Sequence, residues 1–455
     1  MSSIVIFGKA HSGKSTLIGY LLTKSNNYKT DKLEYLEKTF RKQLGVNYRP
    51  SDFYRYIVDV NKDERVKSKK DKLGATIDYH IRKIKLPEIG EITVIDTPGD
   101  EHREKNKLRG MYYADVGVFC IEMQDVISDD FYTPGKHYSL MLSSLMLWMA
   151  FKKKKIIVAL TKADLCGFCF DDYNKAKERI FRLCADVSIN VKIIPISIDV
   201  DNRLAHNLLE KSSFFSWYNG ETLCEALVSD VKIIKNENDE RLFFCIDRQI
   251  KNPTSSVGKV WRIKVISGKI RQNDEIVLSP VINSNKQFMS ITAKVKTIRS
   301  DNYKGEEQEE LEIASEGGFF GIDLKDIKMN GRTVGKEDFN TIFTTCGFYA
   351  YSKYEMSKYF QFRITKEYSN KFRINRQFSL IWFGHPINFK VLDIIYENDE
   401  ILVNSEIQTR MLSLPIDDLG NYYYHSIIIR DSNTPVSEPF DASFVKILKE
   451  EEVRK

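Results

Sequence analysis

The sequence predicts a doubly wound α/β domain with a mostly parallel sheet over residues 1–231, followed by two all-β barrel domains over residues 232–345 and 346–455. Two observations predict the first domain. Short apolar runs typical of buried strands alternate with segments of helical periodicity, and the first run leads directly into a glycine-rich loop. A third observation predicts the barrels: after the polar stretch 235–240, short alternating segments separated by turn residues replace the long helical patterns.

The glycine-rich loop at residues 8–15 fits the phosphate-binding pattern G-x-x-x-x-G-K-S. It follows the apolar run 3–7 and precedes a segment with the apolar spacing of a helix, which argues against a chance glycine-rich turn. Its glycines allow N–H groups to point inward, and the new helix adds its positive dipole end. We expect Lys14 to lie along the β- and γ-phosphates and the Ser15 hydroxyl to bind Mg²⁺. The loop residues expected to bind nucleotide are Lys9, Ala10, Ser12, Gly13, Lys14, Ser15 and Thr16.

Four further apolar runs predict strands of the same sheet, at residues 92–95, 116–121, 156–160 and 193–196. In an open parallel sheet, binding residues gather at the carboxyl ends of the strands. Each polar motif that follows one of these runs is therefore expected at the same edge of the sheet as the phosphate loop.

The first of these motifs, Asp-Thr-Pro-Gly at residues 96–99, is expected to face the terminal phosphate. Asp96 would contact Mg²⁺ indirectly, and the N–H of Gly99 would face the γ-phosphate. Thr76, in the preceding loop, can reach Mg²⁺ only when a γ-phosphate draws that loop inward. The metal is therefore expected among Ser15, Thr76 and Asp96.

A second motif, Thr161-Lys162-Ala163-Asp164, is expected to select the base. Asp164 can accept hydrogen bonds from both N1–H and the 2-amino group of guanine, a pair of donors that adenine lacks. Lys162 would pack along the ring, while Ser197 and Ile198 mark the loop that closes the base pocket. Such a tetrapeptide alone is often only a strand-ending turn, but the ordered set of motifs predicts GTP and GDP as ligands.

Composition excludes few partners. With 455 residues, the chain has the length of about three domains and an ordinary globular composition. A net charge of +6 permits a nucleic-acid partner without indicating one. The first strand leaves no room for a signal peptide, and the longest apolar stretch, 138–151, is too short to span a bilayer, so no membrane partner is expected. Cys166 and Cys169 form an isolated C-x-x-C, more typical of ordinary thiols than of a zinc or redox site. A cytoplasmic location fits best.

Together, these residues resemble the translation-factor GTPases of the elongation factor Tu group. They are most similar to its archaeal and eukaryotic elongation factor branch, which also holds ribosome-rescue factors and the GTPase subunit of sulfate adenylyltransferase. The fold implied is a GTP-binding domain followed by two β-barrels. The resemblance covers nearly the whole chain and rests on residues 13–19, 74–78, 96–99, 216–223, 257–274 and, more loosely, 378–384.

The chain departs from the family pattern around the reacting phosphate. Family members usually have histidine directly after D-x-P-G and aspartate in the phosphate loop, whereas this chain has Asp100 and His11. We interpret His11 and Asp100 as an exchanged pair. The two side chains would face each other across the nucleotide and orient the attacking water. The alternative is that each position drifted and hydrolysis slowed or decayed. Thr161 replaces the usual asparagine, a tolerable change because Asp164 carries the base contact.

The end of the chain also departs from the family. Its closing signature, G-R-F-x-x-R followed by T-V-G-x-G, is absent, and the second barrel is expected to be shortened at its C-terminus. In the delivery factors the corresponding strand helps to grip the tRNA stem, so its loss argues against aminoacyl-tRNA delivery.

The resemblance implies a GTPase that switches between GTP and GDP states and acts on the ribosome or tRNA. Two alternatives remain open. One is the regulatory subunit of a sulfate-activating complex, which would bind a protein partner. The other is a degenerate GTP-binding module that hydrolyses little and serves assembly or regulation.

Overall fold

The computed structural model divides into two compact units, one formed mainly by residues 2–236 and the other by residues 237–434 and 439–455. The predicted α/β domain lies in the first unit, while the seam predicted between the two barrels lies outside the described residues. The described residues are 2–24, 30–44, 50–58, 79–86, 90–99, 104–151, 155–185, 189–199, 204–234, 242–251, 259–282, 288–301, 309–333, 353–382, 385–408, 412–416, 426–431 and 440–453.

A six-stranded sheet forms the centre of the first unit. Its strands are β1 (Ser3–Phe7), β2 (His80–Leu86), β3 (Gly90–Asp96), β4 (Val116–Glu122), β5 (Ile156–Thr161) and β6 (Lys192–Pro195). Their order is β2-β3-β1-β4-β5-β6, and all neighbours are parallel except β2 and β3. The doubly wound, mostly parallel sheet predicted from the apolar runs is confirmed.

Helices cover both faces of this sheet. They are α1 (Lys14–Lys24), α2 (Thr30–Leu44), α3 (Pro50–Val58), α4 (Glu104–Tyr113), α5 (Met123–Ile127), α6 (His137–Ala150), α7 (Phe170–Ala185) and α8 (Leu223–Ile234). On one face, apolar side chains of α1, α3 and α8 pack with Ile4, Ile6 and Val94. On the other face, the buried Trp148 of α6 stacks on Phe7 with ring centroids 5.7 Å apart. A hairpin of β7 (Ser197–Asp199) and β8 (Leu204–His206) follows β6.

Helix α3 packs directly on the backbone of α1. A Cβ added at Gly19 would overlap the carbonyl oxygen of Tyr54 and lie 2.6 Å from its carbonyl carbon. The rings of Tyr20 and Tyr54 also contact, with centroids 5.9 Å apart. Glycine is required at this position because any side chain would force the two helices apart.

The first half of the second unit is built on a seven-stranded antiparallel sheet. Its inward side chains, among them Trp261, Ile263 and Leu324, share one apolar core. The strands of this half are β9 (Phe243–Lys251), β10 (Lys259–Ser267), β11 (Lys269–Arg271), β12 (Glu275–Ile282), β13 (Phe288–Ser300), β14 (Glu310–Leu311), β15 (Ile313–Ser315), β16 (Phe319–Met329) and β17 (Arg332–Thr333). The central order of the seven-stranded sheet is β12-β13-β16-β10-β9, with β14 paired to β13 and β17 to β16, while β11 and β15 form a separate two-stranded sheet.

The remaining strands are β18 (Lys353–Ser357), β19 (Tyr359–Thr365), β20 (Gln377–Trp382), β21 (His385–Tyr396), β22 (Glu400–Ile407), β23 (Leu412–Ile416), β24 (Ser426–Asp431) and β25 (Phe440–Leu448), followed by α9 (Glu450–Val453). Six of them close into a barrel in the order β19-β22-β21-β20-β24-β25. Phe360, Phe362 and Phe389 fill its interior. Although the family's closing signature is absent, β25 pairs with both β19 and β24 and completes the barrel.

Candidate nucleotide-binding site

The loop between β1 and α1 adopts a conformation that depends on glycine. Gly8 has a φ of 147° and Gly13 a φ of 85°. A Cβ at Gly8 would also overlap the carbonyl oxygen of Cys120 at the centre of β4. His11 carries a side chain in the left-handed region, with a φ of 67°, which is uncommon outside glycine. The tight turn that the G-x-x-x-x-G-K-S pattern predicts is therefore present.

Lys14 begins α1 and reaches back across this loop. Its Nζ donates a hydrogen bond of 2.6 Å to the carbonyl oxygen of Lys9. Burial lowers the pKa of Lys14 to about 8, although the nearby Asp96 carboxylate partly opposes that shift. An ammonium group held in a dry loop is stabilised by an anion, so phosphate oxygens would restore the charge that burial disfavours.

The other loop residues are arranged around the same point. Lys9 is exposed and its Nζ lies 3.3 Å from Oδ2 of Asp125. Gly13 accepts the first helical hydrogen bond of α1 from Leu17, at 2.9 Å, and Thr16 lies in the first turn of that helix. The Ser12 hydroxyl is buried and has no hydrogen-bond partner among the described residues, so it is available to a bound phosphate.

Ser15 and Asp96 form the corner predicted for the metal. Ser15 Oγ donates a hydrogen bond of 3.2 Å to Oδ2 of Asp96. Burial raises the pKa of Asp96, while electrostatic interactions with the nearby His80 and Lys14 side chains oppose the rise. Its Oδ1 is buried and has no hydrogen-bond partner in the described part of the chain. A buried carboxylate oxygen beside a hydroxyl offers the oxygen ligands that Mg²⁺ prefers.

Gly99 lies against the phosphate loop beside this corner. A Cβ at Gly99 would lie 2.6 Å from both the backbone nitrogen of Ala10 and Nζ of Lys14. The absence of a side chain lets the 96–99 segment touch the phosphate loop, where a terminal phosphate is expected. Thr76, the third predicted metal ligand, lies outside the described residues.

Asp164 and Ser197 come together at the opposite corner, as the base-binding motif predicts. Ser197 Oγ donates a hydrogen bond to Oδ1 of Asp164, which fixes the orientation of the exposed carboxylate. Lys162 has a left-handed φ of 57°, and its Nζ pairs with Oε2 of Glu122 at 2.8 Å. Ile198 packs against the apolar core below. The carboxylate of Asp164 is thus held where a guanine edge can donate to it.

Thr161 has a role beyond the tolerated change that the sequence suggests. Its Oγ1 lies 3.0 Å from the carbonyl oxygen of Ser12 and 3.1 Å from that of Ile121. The hydroxyl has one hydrogen to share between two buried acceptors, whereas the amide of the usual asparagine has two. Thr161 therefore joins the base-binding strand to the phosphate loop.

Glu122 was not recognised from the sequence. It ends β4 and holds Lys162, the residue expected to pack along the base. A signal was available, because Glu122 directly follows the apolar run 116–121 and strand ends at this edge carry the other site residues.

His11 lies at the phosphate loop, while Asp100 is outside the described residues. The His11 side chain is exposed, yet partial burial of its ring lowers its pKa. The positive charges of Arg55, Lys162 and Lys14 lower it further. The facing pair of His11 and Asp100 stays a prediction.

Phosphate recognition at one corner and guanine recognition at the other, at the edge of a doubly wound sheet, is the arrangement of a P-loop GTPase. The family model of the elongation factor Tu GTP binding domain matches residues 1–232, and the chain belongs to this family. It is therefore a translation-factor-type GTPase that binds guanine nucleotides. No helix in the described part of the chain combines the length and apolar character needed to cross a membrane.

The chain is similar to elongation factors and to related structures. It is 28% identical to elongation factor 1-alpha of Archaeoglobus fulgidus over 345 residues, which cover 74% of this chain and 71% of that protein. It is 26% identical to elongation factor 1-alpha of Aspergillus oryzae over 341 residues, covering 72% and 67%. The GTP-bound S. cerevisiae Ski7 GTPase-like domain superposes with a TM-score of 0.77 at 17% identity, covering 98% and 97%. The bacterial selenocysteine-specific elongation factor EF-Sec gives a TM-score of 0.60 at 15% identity, covering 98% and 59%.

Replacing Thr161 by valine should weaken guanine-nucleotide binding. The substitution keeps the shape but leaves two buried carbonyl oxygens without their shared donor, which should reduce the binding free energy of GDP by about 1–2 kcal/mol. Isothermal calorimetry measures the change. Thr39→Val is the matched control, because its hydroxyl also donates to a backbone oxygen, that of Tyr35 at 2.8 Å, but on α2. Equal GDP affinities for Thr161→Val and the unmodified protein would contradict the proposed link.

Lys14 should take up a proton when GDP binds above pH 8. Its pKa in the unliganded protein is about 8, so the amine loses its charge between pH 7 and pH 9, whereas bound phosphate favours the charged form. We expect almost no proton uptake at pH 7 and nearly one proton at pH 9, with affinity falling over that range. Calorimetry in buffers of different ionisation enthalpy measures the uptake.

The same shift has a consequence for stability. The folded pKa lies below the ordinary value of 10.5, so the unfolded chain binds more protons above pH 8, and the free energy of unfolding gains a rising contribution from Lys14 up to about pH 10.5. In the binding experiment, proton uptake on GDP binding that is the same at pH 7 and pH 9 would show that Lys14 keeps its ordinary pKa.

Proposed function

We propose that this GTPase is a GTP/GDP switch that acts on the ribosome or tRNA in the cytoplasm. The observation that carries the proposal is the direct approach of Gly99 to Ala10 and Lys14 at the phosphate loop. A segment that touches the loop there must respond to the presence or absence of a terminal phosphate. The elongation factors among the relatives support a role in translation. The similarity to elongation factor 1-alpha gives the alternative of a sulfate-activating subunit no better support.

Each part of the site has a separate task in this switch. Lys14 binds the β- and γ-phosphates, and Asp164, oriented by Ser197, selects guanine. Ser15 and Asp96, together with Thr76, would hold Mg²⁺, which supplies positive charge to the phosphate oxygens when bound. The 96–99 segment and the loop of Thr76 then take different positions with GTP and with GDP.

Ribosome binding should depend on the nucleotide that Asp164 reads. We expect the protein to sediment with ribosomes in the presence of a non-hydrolysable GTP analogue and to remain in the supernatant with GDP. Asp164→Asn exchanges an acceptor for a donor, so this variant should respond to the matching xanthosine analogue, whose 2-oxo group needs a donor, and no longer to the GTP analogue.

Because Asp164→Asn is expected to change the base preference, the comparison of the two proteins also provides the control. Sedimentation that follows the base preference of each variant can come only from the nucleotide bound at this site. Failure of the unmodified protein to sediment with either nucleotide, despite measurable GTP binding, would exclude a nucleotide-controlled ribosomal role. That result would favour the two alternatives, a regulatory subunit with a protein partner or a GTP-binding module that serves assembly or regulation.

For hydrolysis, we propose that His11 and Asp100 act as one unit that orients the attacking water. The position of His11 at the phosphate loop supports this proposal, because a group that orients water must lie within hydrogen-bonding reach of it. Residues that act as a unit lose their effect together. We therefore expect His11→Ala and Asp100→Ala each to reduce single-turnover GTP hydrolysis as much as the double variant does. Unchanged turnover in all three variants would favour a switch whose hydrolysis has decayed.

A further inference from the structure

Helix α3 places a further cationic residue near the nucleotide site. It lies on α1, with Tyr54 directly over Gly19, and α1 begins at Lys14 in the phosphate loop. Gly19 is five residues along that helix, or about 8 Å from Lys14 at the usual rise per residue. The residue that follows Tyr54 is Arg55, which is half-buried.

The C-terminal end of α3 is anchored near the metal corner. Nη2 of Arg82 donates a hydrogen bond to the carbonyl oxygen of Val58, the last residue of α3. Arg82 lies two residues along β2 from His80, which is paired in register with Asp96. Arg55 therefore lies between two contacts that α3 makes. Tyr54 contacts α1, the helix that starts in the phosphate loop, and Val58 contacts β2, the strand that pairs with β3 beside Asp96.

The positive charge of Arg55 acts on the His11 ring in the phosphate loop. Of the positive charges that lower the pKa of His11, that of Arg55 has the largest effect, ahead of Lys162 and Lys14. Among the described residues, Glu122 opposes these cations at His11. An excess of positive charge around a phosphate loop is stabilised by a multiply charged anion, and the tail of GTP carries more charge than that of GDP.

We propose that Arg55 is a further phosphate-binding residue of this GTPase and that its guanidinium contacts the γ-phosphate of bound GTP. A guanidinium matches two phosphate oxygens with paired N–H donors, which an ammonium group cannot do. An arginine supplied by the same chain also stabilises the charge that spreads over the phosphate oxygens during transfer. The proposal rests on guanine-nucleotide binding alone and is independent of the ribosomal role.

A simpler explanation of Arg55 predicts a different result. Arg55 lies in the last turn of α3, where a positive charge is favoured by the helix dipole. That role would affect the stability of α3 but would not distinguish GTP from GDP. The difference between the two nucleotides is therefore the decisive measurement.

The experiment compares Arg55→Ala with Arg41→Ala. Arg41 lies on α2 and pairs with Glu37 at 2.8 Å, so the control removes the same charge from an exposed ion pair. We expect Arg55→Ala to weaken binding of a non-hydrolysable GTP analogue by about tenfold and that of GDP by less than about threefold, since only the analogue has a γ-phosphate. Arg55→Lys should recover part of the loss, and Arg41→Ala should change neither affinity.

Two outcomes would overturn the proposal: unchanged affinity for both nucleotides, or an equal loss for both. Because Arg55→Ala could unfold α3, Arg55→Gln is measured in parallel, and thermal unfolding of each unliganded variant identifies that case. The His11 ring in the unliganded protein provides a second measurement by NMR. Its pKa should rise when Arg55 is neutralised, because a nearby positive charge is lost. An unmodified protein that binds no guanine nucleotide would refute the binding site and, with it, the role of Arg55.

Discussion

The first unit depends on how closely the backbone approaches the phosphate loop. Gly8 lies against the carbonyl of Cys120, and Gly99 lies against Ala10 and Lys14. Thr161 joins the same loop to the base-binding strand. These contacts come from β4, from the segment after β3 and from the end of β5, so three strands of the sheet hold one loop. Any side chain at either glycine would move the loop relative to the groups that must bind a single nucleotide.

Burial at this loop explains its electrostatics. Lys14 and Asp96 are both buried. Burial lowers the pKa of Lys14 and raises that of Asp96, so it favours the neutral form of each group. Each group partly offsets the other, but neither has enough opposite charge nearby to cancel its burial. The unliganded site is thus prepared for a ligand that carries phosphates to the lysine and a cation to the carboxylate. The burial of these two groups is unfavourable in the empty site. Its relief when the ligand binds contributes to the binding free energy.

Much of this architecture could be predicted from local patterns. Apolar runs located the parallel strands, and the strand-end rule placed Asp96 and Asp164 at one edge. The rest depends on contacts between distant segments. Nothing in the helical pattern of 16–22 indicates that Gly19 must lack a side chain, because that need arises only from Tyr54 on another helix. Glu122 carries no motif of its own, and its pairing with Lys162 follows from the order of the strands.

The closure of the second barrel limits how other molecules can bind it. Since β25 is hydrogen-bonded on both sides, the six described strands of this barrel leave no open edge to which an extended peptide or a second copy could add. Recognition on these six strands must use side chains or the connecting loops and cannot use backbone pairing. The same closure protects the barrel from edge-to-edge aggregation, and an exchange of β25 between two copies would first have to break both of its strand pairings.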